Sequence, residues 1–346
     1  MMIDPKRYTS GRIALANLSA SIDSLERRRT DGATFEDLVS LSNLLFLRGD
    51  LLGRIADHDR AEGVAKEAVA LCPGSAPALY IGARIASRFH RFEEATTLLH
   101  EAAAAGHPGE EIDAEQAALL QATGHYAEAL AVCERLANQK PGIDTLGALA
   151  TLLAEMGEWL AAEAHYISAL DKDDGISPLP CSQLLFEWAV NAMRRGDLDR
   201  AEQIFSELQA TLPAHVPGRG HRSEVALARG DFDIALALVT PLLDIADDPE
   251  CRATYAEILA ARGDAEAADI EARRAATEYE RLLARRPEAY ADHAAFFFIG
   301  IGNRPTRALE LAEANWRLRD TPRSRKLLDK ARDKAQQLSA LVETVP

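Results

Sequence analysis

An all-α fold, a right-handed α-solenoid of stacked helix-turn-helix units, is predicted by three observations. A small residue opens an apolar pattern eight times, at Ala61, Ala95, Ala129, Ala162, Ala201, Ala235, Ala268 and Ala308. The intervals are 34, 34, 33, 39, 34, 33 and 40 residues. Self-similarity at that period marks two-helix units, each with too little apolar surface to stand alone. Residues four and seven further on are mostly apolar, as in Leu99 and Ala102 or Phe205 and Leu208, and offsets 0, 4 and 7 share one face of an α-helix. Aromatics make up 6% of the chain, and no alternating strand-like run carries hairpin signals.

Each element follows in order. Residues 11–29 place Ile13, Leu18, Ile22 and Leu25 at helical spacing and end in Arg27-Arg28-Arg29. Residues 1–32 therefore read as an N-terminal capping helix over the first unit. A long first helix is expected over 33–55, opening a block of about four repeats that runs to 176. Between helices the chain reads Gly124-His125, Gly157-Glu158, Gly196-Asp197, Gly230-Asp231 and Gly263-Asp264. Glycine closes one helix through a left-handed turn, and the polar residue can cap the next. Pro73, Pro141 and Pro213 sit twelve residues past their alanines, where a helix must stop. The 39-residue interval puts an insertion near Asp171–Cys181, with a bend expected there, before a second block over 177–335. Pro241 falls inside a second helix and should kink it. The helix beyond Glu271 extends through Arg286, the final unit (Ala289–Asp320) is atypical as terminal units are, and 336–346 read as a flexible tail.

The unit resembles the tetratricopeptide repeat, well over residues 42–249 and more loosely to about 335. Gly-Asp-Leu-Asp-Arg-Ala-Glu-Gln-Ile-Phe-Ser-Glu-Leu at 196–208, followed by Pro213, is the clearest match, with Gly124-His-Tyr-Ala-Glu-Ala129 and Arg91-Phe-Glu-Glu-Ala95 similar. Leu45, Leu79 and Leu185 replace the large aromatic that often opens the first helix. The resemblance implies a protein-interaction solenoid with first helices lining its concave side.

Composition narrows the function classes. A net charge of −15 argues against a general nucleic-acid or anionic-membrane surface. The N-terminus lacks a signal-peptide core and no 18-residue apolar run exists, so no membrane span and a cytoplasmic location are expected. Cysteines 72, 133, 181 and 251 form no CxxC pair, so neither a metal site nor a disulfide framework is expected, nor any cofactor. Arg-Gly-Asp occurs four times, three of them in inter-helix turns where Gly-Asp has a backbone role. No histidine has a ligand spacing, and Asp292-His293 has no nucleophile that sequence can place beside it. Phe296-Phe297-Phe298-Ile299 reads as the core of the terminal unit, with an exposed docking patch as the alternative.

Candidate binding positions come from the register. The inner surface of the first helices offers Asn43, Phe46, Asp50 and Arg54, then Tyr80, Arg84 and Arg88, and later Gln121, Glu155, Phe186, Arg194, Glu224 and Glu257. A partner peptide could lay apolar side chains on Phe46 and Tyr80 and a carboxylate near Arg84 and Arg88. Phe46 and Asp50 stand where chaperone-tail receptors of this family carry a Lys/Asn clamp, which argues against that ligand. His215, Arg219, His221 and Arg222, in a loop with two glycines before a helix, could form an anion site; a plain connector is the alternative. The stretch 304–334 is locally basic and reads as a solvated face, although on an acidic chain it could orient an acidic partner. The function expected is a non-catalytic scaffold or adaptor binding a partner protein or peptide in the concave groove. The alternative is a regulatory sensor whose solenoid responds to a peptide or small anion.

Overall fold

The computed structural model describes residues 7–343, with side chains as far as Leu338. Among them are eighteen α-helices and no strand. A cap helix α1 (Gly11–Gly32) is followed by eight antiparallel pairs: α2/α3 (Phe35–Leu52, Ile55–Leu71), α4/α5 (Ala76–Arg88, Phe92–Ala104), α6/α7 (Gly109–Thr123, Tyr126–Gln139) and α8/α9 (Ile143–Glu155, Trp159–Asp171). Then come α10/α11 (Pro178–Arg194, Leu198–Thr211), α12/α13 (Val216–Arg229, Phe232–Val239), α14/α15 (Pro249–Ala261, Ala265–Arg285) and α16/α17 (Pro287–Ile299, Pro305–Leu318), before a last helix α18 (Pro322–Glu343).

The repeat grammar explains each pair. Every one of the eight repeat alanines is buried, the most exposed only to 3%, because a larger side chain would hold the two helices of the pair apart. Ser42 and Ser223 donate across their pairs to the carbonyls of Ala61 and Ala235, so these buried hydroxyls are satisfied. Gly124, Gly157, Gly196, Gly230 and Gly263 all turn at φ between +83° and +91°, a region that a side chain makes costly. That accounts for the three inter-helix Arg-Gly-Asp sequences. Asp197 and Asp264 accept from the amides of Arg200 and Ala267 and cap α11 and α15.

Three expectations change in detail. Pro241 does not kink a continuing helix: α13 ends at Val239, and Thr240–Asp244 continue as a 3-10 turn, since proline removes an amide that the helix needs. Residues 336–343, part of the expected tail, continue α18, whose Ala, Gln and Leu residues favour helix; 344–346 lie outside the described residues, as do 1–6 of the cap. The insertion occupies 172–177, yet one apolar cluster from Ala129 to Val225 runs across it, so the two blocks share a core there.

The solenoid coils far enough to touch itself. Gly11 at the start of α1 lies against Thr211 and Leu212, and Tyr8 donates to Asp173 over 2.8 Å. Gly53, after α2, meets Val216, Ala246 and Asp248, and Asp247 accepts from the first amides of α3. The Arg286 guanidinium, between α15 and α16, reaches Asp59 and Glu62 of α3 at 2.6 and 2.5 Å and covers the Phe89 ring. His90 contacts the carbonyl of Glu288 at 3.0 Å, and Arg319 donates to the carbonyl of Ala122. The first three pairs thus lie against elements about six pairs further on. The helix α1, expected simply to shield the first unit, does so and also joins this closure.

Candidate functional site: a two-signed lumen

Closure turns the concave side into an interior space. The first helices α8, α10, α12, α14 and α16 present residues to a cavity of about 610 Å³, and α18 lines it as well. A second cavity of about 200 Å³ lies beyond it, between the ends of α2 and α4 and the starts of α12 and α16; Tyr279 and His293 border both.

The large cavity carries both signs of charge. The first helices contribute Glu155, Glu224, Glu250, Glu257 and Arg194, and α18 contributes Arg323, Lys326 and Lys330. The acids are mostly engaged. His293 pairs with Glu250, whose charge, despite burial, holds the Glu250 carboxyl down at about 2, while Glu250 lifts the imidazole to about 10. Glu224 takes His221 at 3.0 Å and the Thr254 hydroxyl at 3.3 Å, and Glu155 accepts from Tyr126. Glu257 has no such partner; burial, reinforced by Glu224, pushes its carboxyl up to about 7. The apolar part comes from Trp159, Met193, Phe296 and Phe297.

An outer groove of about 490 Å³ between the 243–252 segment and α15 competes poorly. Its charges neutralise one another, Arg252 and Arg274 on Glu271 and Arg281 on Glu278.

The expected site residues are distributed as follows. Arg194 lines the large cavity together with Glu155, Glu224 and Glu257, and Asp50 and Arg88 line the smaller one. In the first two pairs the groups meet each other: Arg84 donates to Asn43 at 2.9 Å, Arg88 pairs with Asp50, and Asp50 also faces His58 at 3.0 Å. Phe46 packs beside His58 and Phe89, Tyr80 stacks on His107, and Arg54 donates to the carbonyl of Ile245. Gln121 is half-buried near the end of α6, where its carbonyl accepts from Gly124.

The expected loop is helix: His215 is the N-cap of α12, and Arg219, His221 and Arg222 lie in its first two turns, where the four do not converge. His215 caps that helix by accepting from Gly218, and Phe186 lies between the rings of His215 and His221. Arg219 donates to the carbonyl of Leu238, and Arg222 is held by Glu202 and Gln209. Asp292 accepts from the backbone amide of His293 and faces Arg319, and the His293 ring, paired with Glu250, also lies 3.7 Å from Asp292. Phe297 and Phe298 are core, whereas Phe296 is 38% exposed toward the lumen with Arg323 over its ring. The basic face of α18 was visible in the sequence as spacings of three and four between Arg323, Lys326 and Lys330; that it lines a cavity was not.

Comparison of structures decides the fold family. Over 83% of this chain and 73% of the other, the fold superposes on one described as "Human IFIT1 dimer with PPP-AAAA", with a TM-score of 0.54 and 15% identity. The chain has a tetratricopeptide-repeat-like fold. A tetratricopeptide repeat protein from Parabacteroides merdae is similar over 70% of this chain and 93% of its own, at 18% identity and a TM-score of 0.46. The Cut9–Hcn1 hetero-tetramer of the APC/C is similar over 85% of this chain and 55% of that one, at 14% and 0.49. At such identities the likeness concerns the fold of this tetratricopeptide-repeat-like chain. No protein-family model matches its sequence, and no curated protein does.

Proposed function

We propose that this tetratricopeptide-repeat-like protein is a non-catalytic scaffold or adaptor that holds a segment of a partner protein in its lumen. The observation that carries this reading is the 610 Å³ cavity, within the range of about 300–1,000 Å³ usual for binding sites. Its lining combines unsatisfied charge with Trp159, Met193 and Phe296, the mixture that a peptide backbone with side chains can satisfy. Among the described residues no group of His, Cys, Asp and Glu could hold a metal ion, and no helix is long and apolar enough to cross a membrane.

Filling the lumen tests the reading. Peptides selected from a displayed random library on the native protein should lose binding to Met193→Trp and keep it with Arg274→Ala in the outer groove. The reverse pattern would refute it. A second reading, a sensor of curvature, draws on the few ion pairs at Asp59 and Glu62 that hold the coil closed. It requires ligand binding to change the scattering-derived radius of gyration.

A further inference from the structure

The lumen reading leaves open which segment would bind, and the unpaired charges of the cavity answer that; this inference rests on that reading. Most arginines of the chain are matched to carboxylates, as Arg48 to Asp57, Arg200 to Glu163 and Arg222 to Glu202. Arg194, Arg323, Lys326 and Lys330 all line one cavity, and among the described residues none of the four carries an ion pair within 4.0 Å. Burial, and after it the neighbouring Arg323, push the Arg194 guanidinium down to about 10 against the opposing pull of Glu187 and Glu155, the response of a cation deprived of water. The carboxylates in the same lining meet His293, His221 and Tyr126, and Glu257 is the least acidic of them. The demand left unmet in the lumen is therefore for negative charge.

The same cavity also supplies apolar surface. Phe296 lies under Arg323 and is partly exposed, and Met193 and Trp159, the latter with Arg195 over its ring, belong to the same lining. We propose that Arg194, Arg323, Lys326 and Lys330 receive the carboxylates of an acidic peptide segment whose apolar side chain packs on Trp159 and Phe296. The fit is electrostatic: guanidinium and ammonium groups that gain carboxylate partners in a partly dry site form charge-assisted hydrogen bonds. A peptide is favoured over a nucleic acid by the carboxylates of the same lining. A phosphodiester chain would bring a charge at every nucleotide against Glu224 and Glu250, whereas a peptide can turn its amide N–H groups toward them.

Fluorescence anisotropy of the full chain with labelled synthetic peptides tests this. The probes are an acidic hexapeptide with blocked ends and one tryptophan and one leucine among four glutamates, its glutamine counterpart, and a penta-adenylate without terminal phosphate, whose four phosphodiesters match the charge. The acidic peptide should bind at least about tenfold tighter than either control. Combined Arg323→Glu, Lys326→Glu and Lys330→Glu, on an exposed face that the fold tolerates, should weaken it about 100-fold, equivalent to about 2.7 kcal/mol. Met193→Trp should abolish it. Binding of the glutamine peptide at equal strength, still blocked by Met193→Trp, would overturn the charge assignment and spare the lumen reading. Tighter binding of the penta-adenylate, no binding of the acidic peptide, or indifference to the triple reversal would overturn the inference. Binding indifferent to Met193→Trp would overturn the lumen reading as well.

Discussion

Replacing Arg286 with alanine should loosen the coil where it meets its own beginning. The guanidinium is 13% exposed and its partners Asp59 and Glu62 are 24% and 9% exposed, so the ion pairs are screened far less than surface pairs. At an effective dielectric of about 20, each contact represents roughly 4 kcal/mol of Coulomb energy before desolvation is subtracted. Breaking a buried pair costs about 3–5 kcal/mol, chiefly through the charges left behind. Those charges are not abandoned here: Asp59 keeps Arg285, and Glu62 keeps Lys66 and Arg91. The loss therefore belongs near 3 kcal/mol, with about 1 kcal/mol more for the cation lost from the Phe89 ring. Urea unfolding followed by circular dichroism measures it, with Arg262→Ala as the control. Arg262 pairs with Asp233 at 43% and 92% exposure, where about 0–1 kcal/mol is expected. Equal losses in the two variants would refute the reasoning, because they would mean that the closure contact is worth no more than a surface pair.

Three further outcomes follow from particular contacts. Gly124→Ala and Gly157→Ala both place a side chain at a left-handed turn, but only at Gly124 would the added carbon strike another part of the coil, the carbonyl of Asp320. Gly157→Ala should cost about 1–2 kcal/mol and Gly124→Ala at least about 2 kcal/mol more in thermal or urea unfolding. Glu257→Gln should stabilise the protein by about 1–3 kcal/mol at pH 8 and leave it unchanged at pH 4. The carboxyl is raised from 4.5 to about 7 in the fold, so the native state keeps a proton that the unfolded chain has released, and stability falls as pH rises through that window; calorimetry at the two pH values reads the difference. Asn191→Ala should cost about 1–2 kcal/mol, because Asn191 donates to the buried Tyr166 hydroxyl at 2.9 Å and ties the fourth pair to the fifth; Tyr166→Phe combined with it should add little.

Much of this fold can be read from the chain because the repeat is local. Alanine spacing, Gly-Asp turns and the apolar residues at offsets 0, 4 and 7 report contacts between helices adjacent in sequence, and those helices pair as expected. The inner positions Glu155, Arg194, Glu224 and Glu257 follow from the same register. What a period cannot reveal is how rotation accumulates over many units. Pair-to-pair angles of a few degrees decide whether Arg286 meets Asp59 or water, and no spacing encodes them. The smaller cavity and the mutual pairing of Arg88 with Asp50 are products of that closure. So is the position of α18: the sequence displays its basic face, and only the coil brings that face into one lining with Glu250 and Glu257. The stretch 215–222 was legible as unusual, but it forms the start of α12, and its arginines are consumed by Glu202 and by the carbonyl of Leu238, partners that local composition does not announce.

The central claim is that the solenoid closes around a lumen, and a cross-link reports it most directly. A β-carbon built on Gly53 lies 3.9 Å from that of Asp248, within the range of about 3.5–4.5 Å that a disulfide spans. With the exposed Cys72 replaced by serine, Gly53→Cys combined with Asp248→Cys should oxidise to an intramolecular disulfide in the folded protein, detected by mass spectrometry of a non-reduced digest. Two thiols that stay free under the same oxidation would mean an open coil, with no enclosed cavity to bind anything.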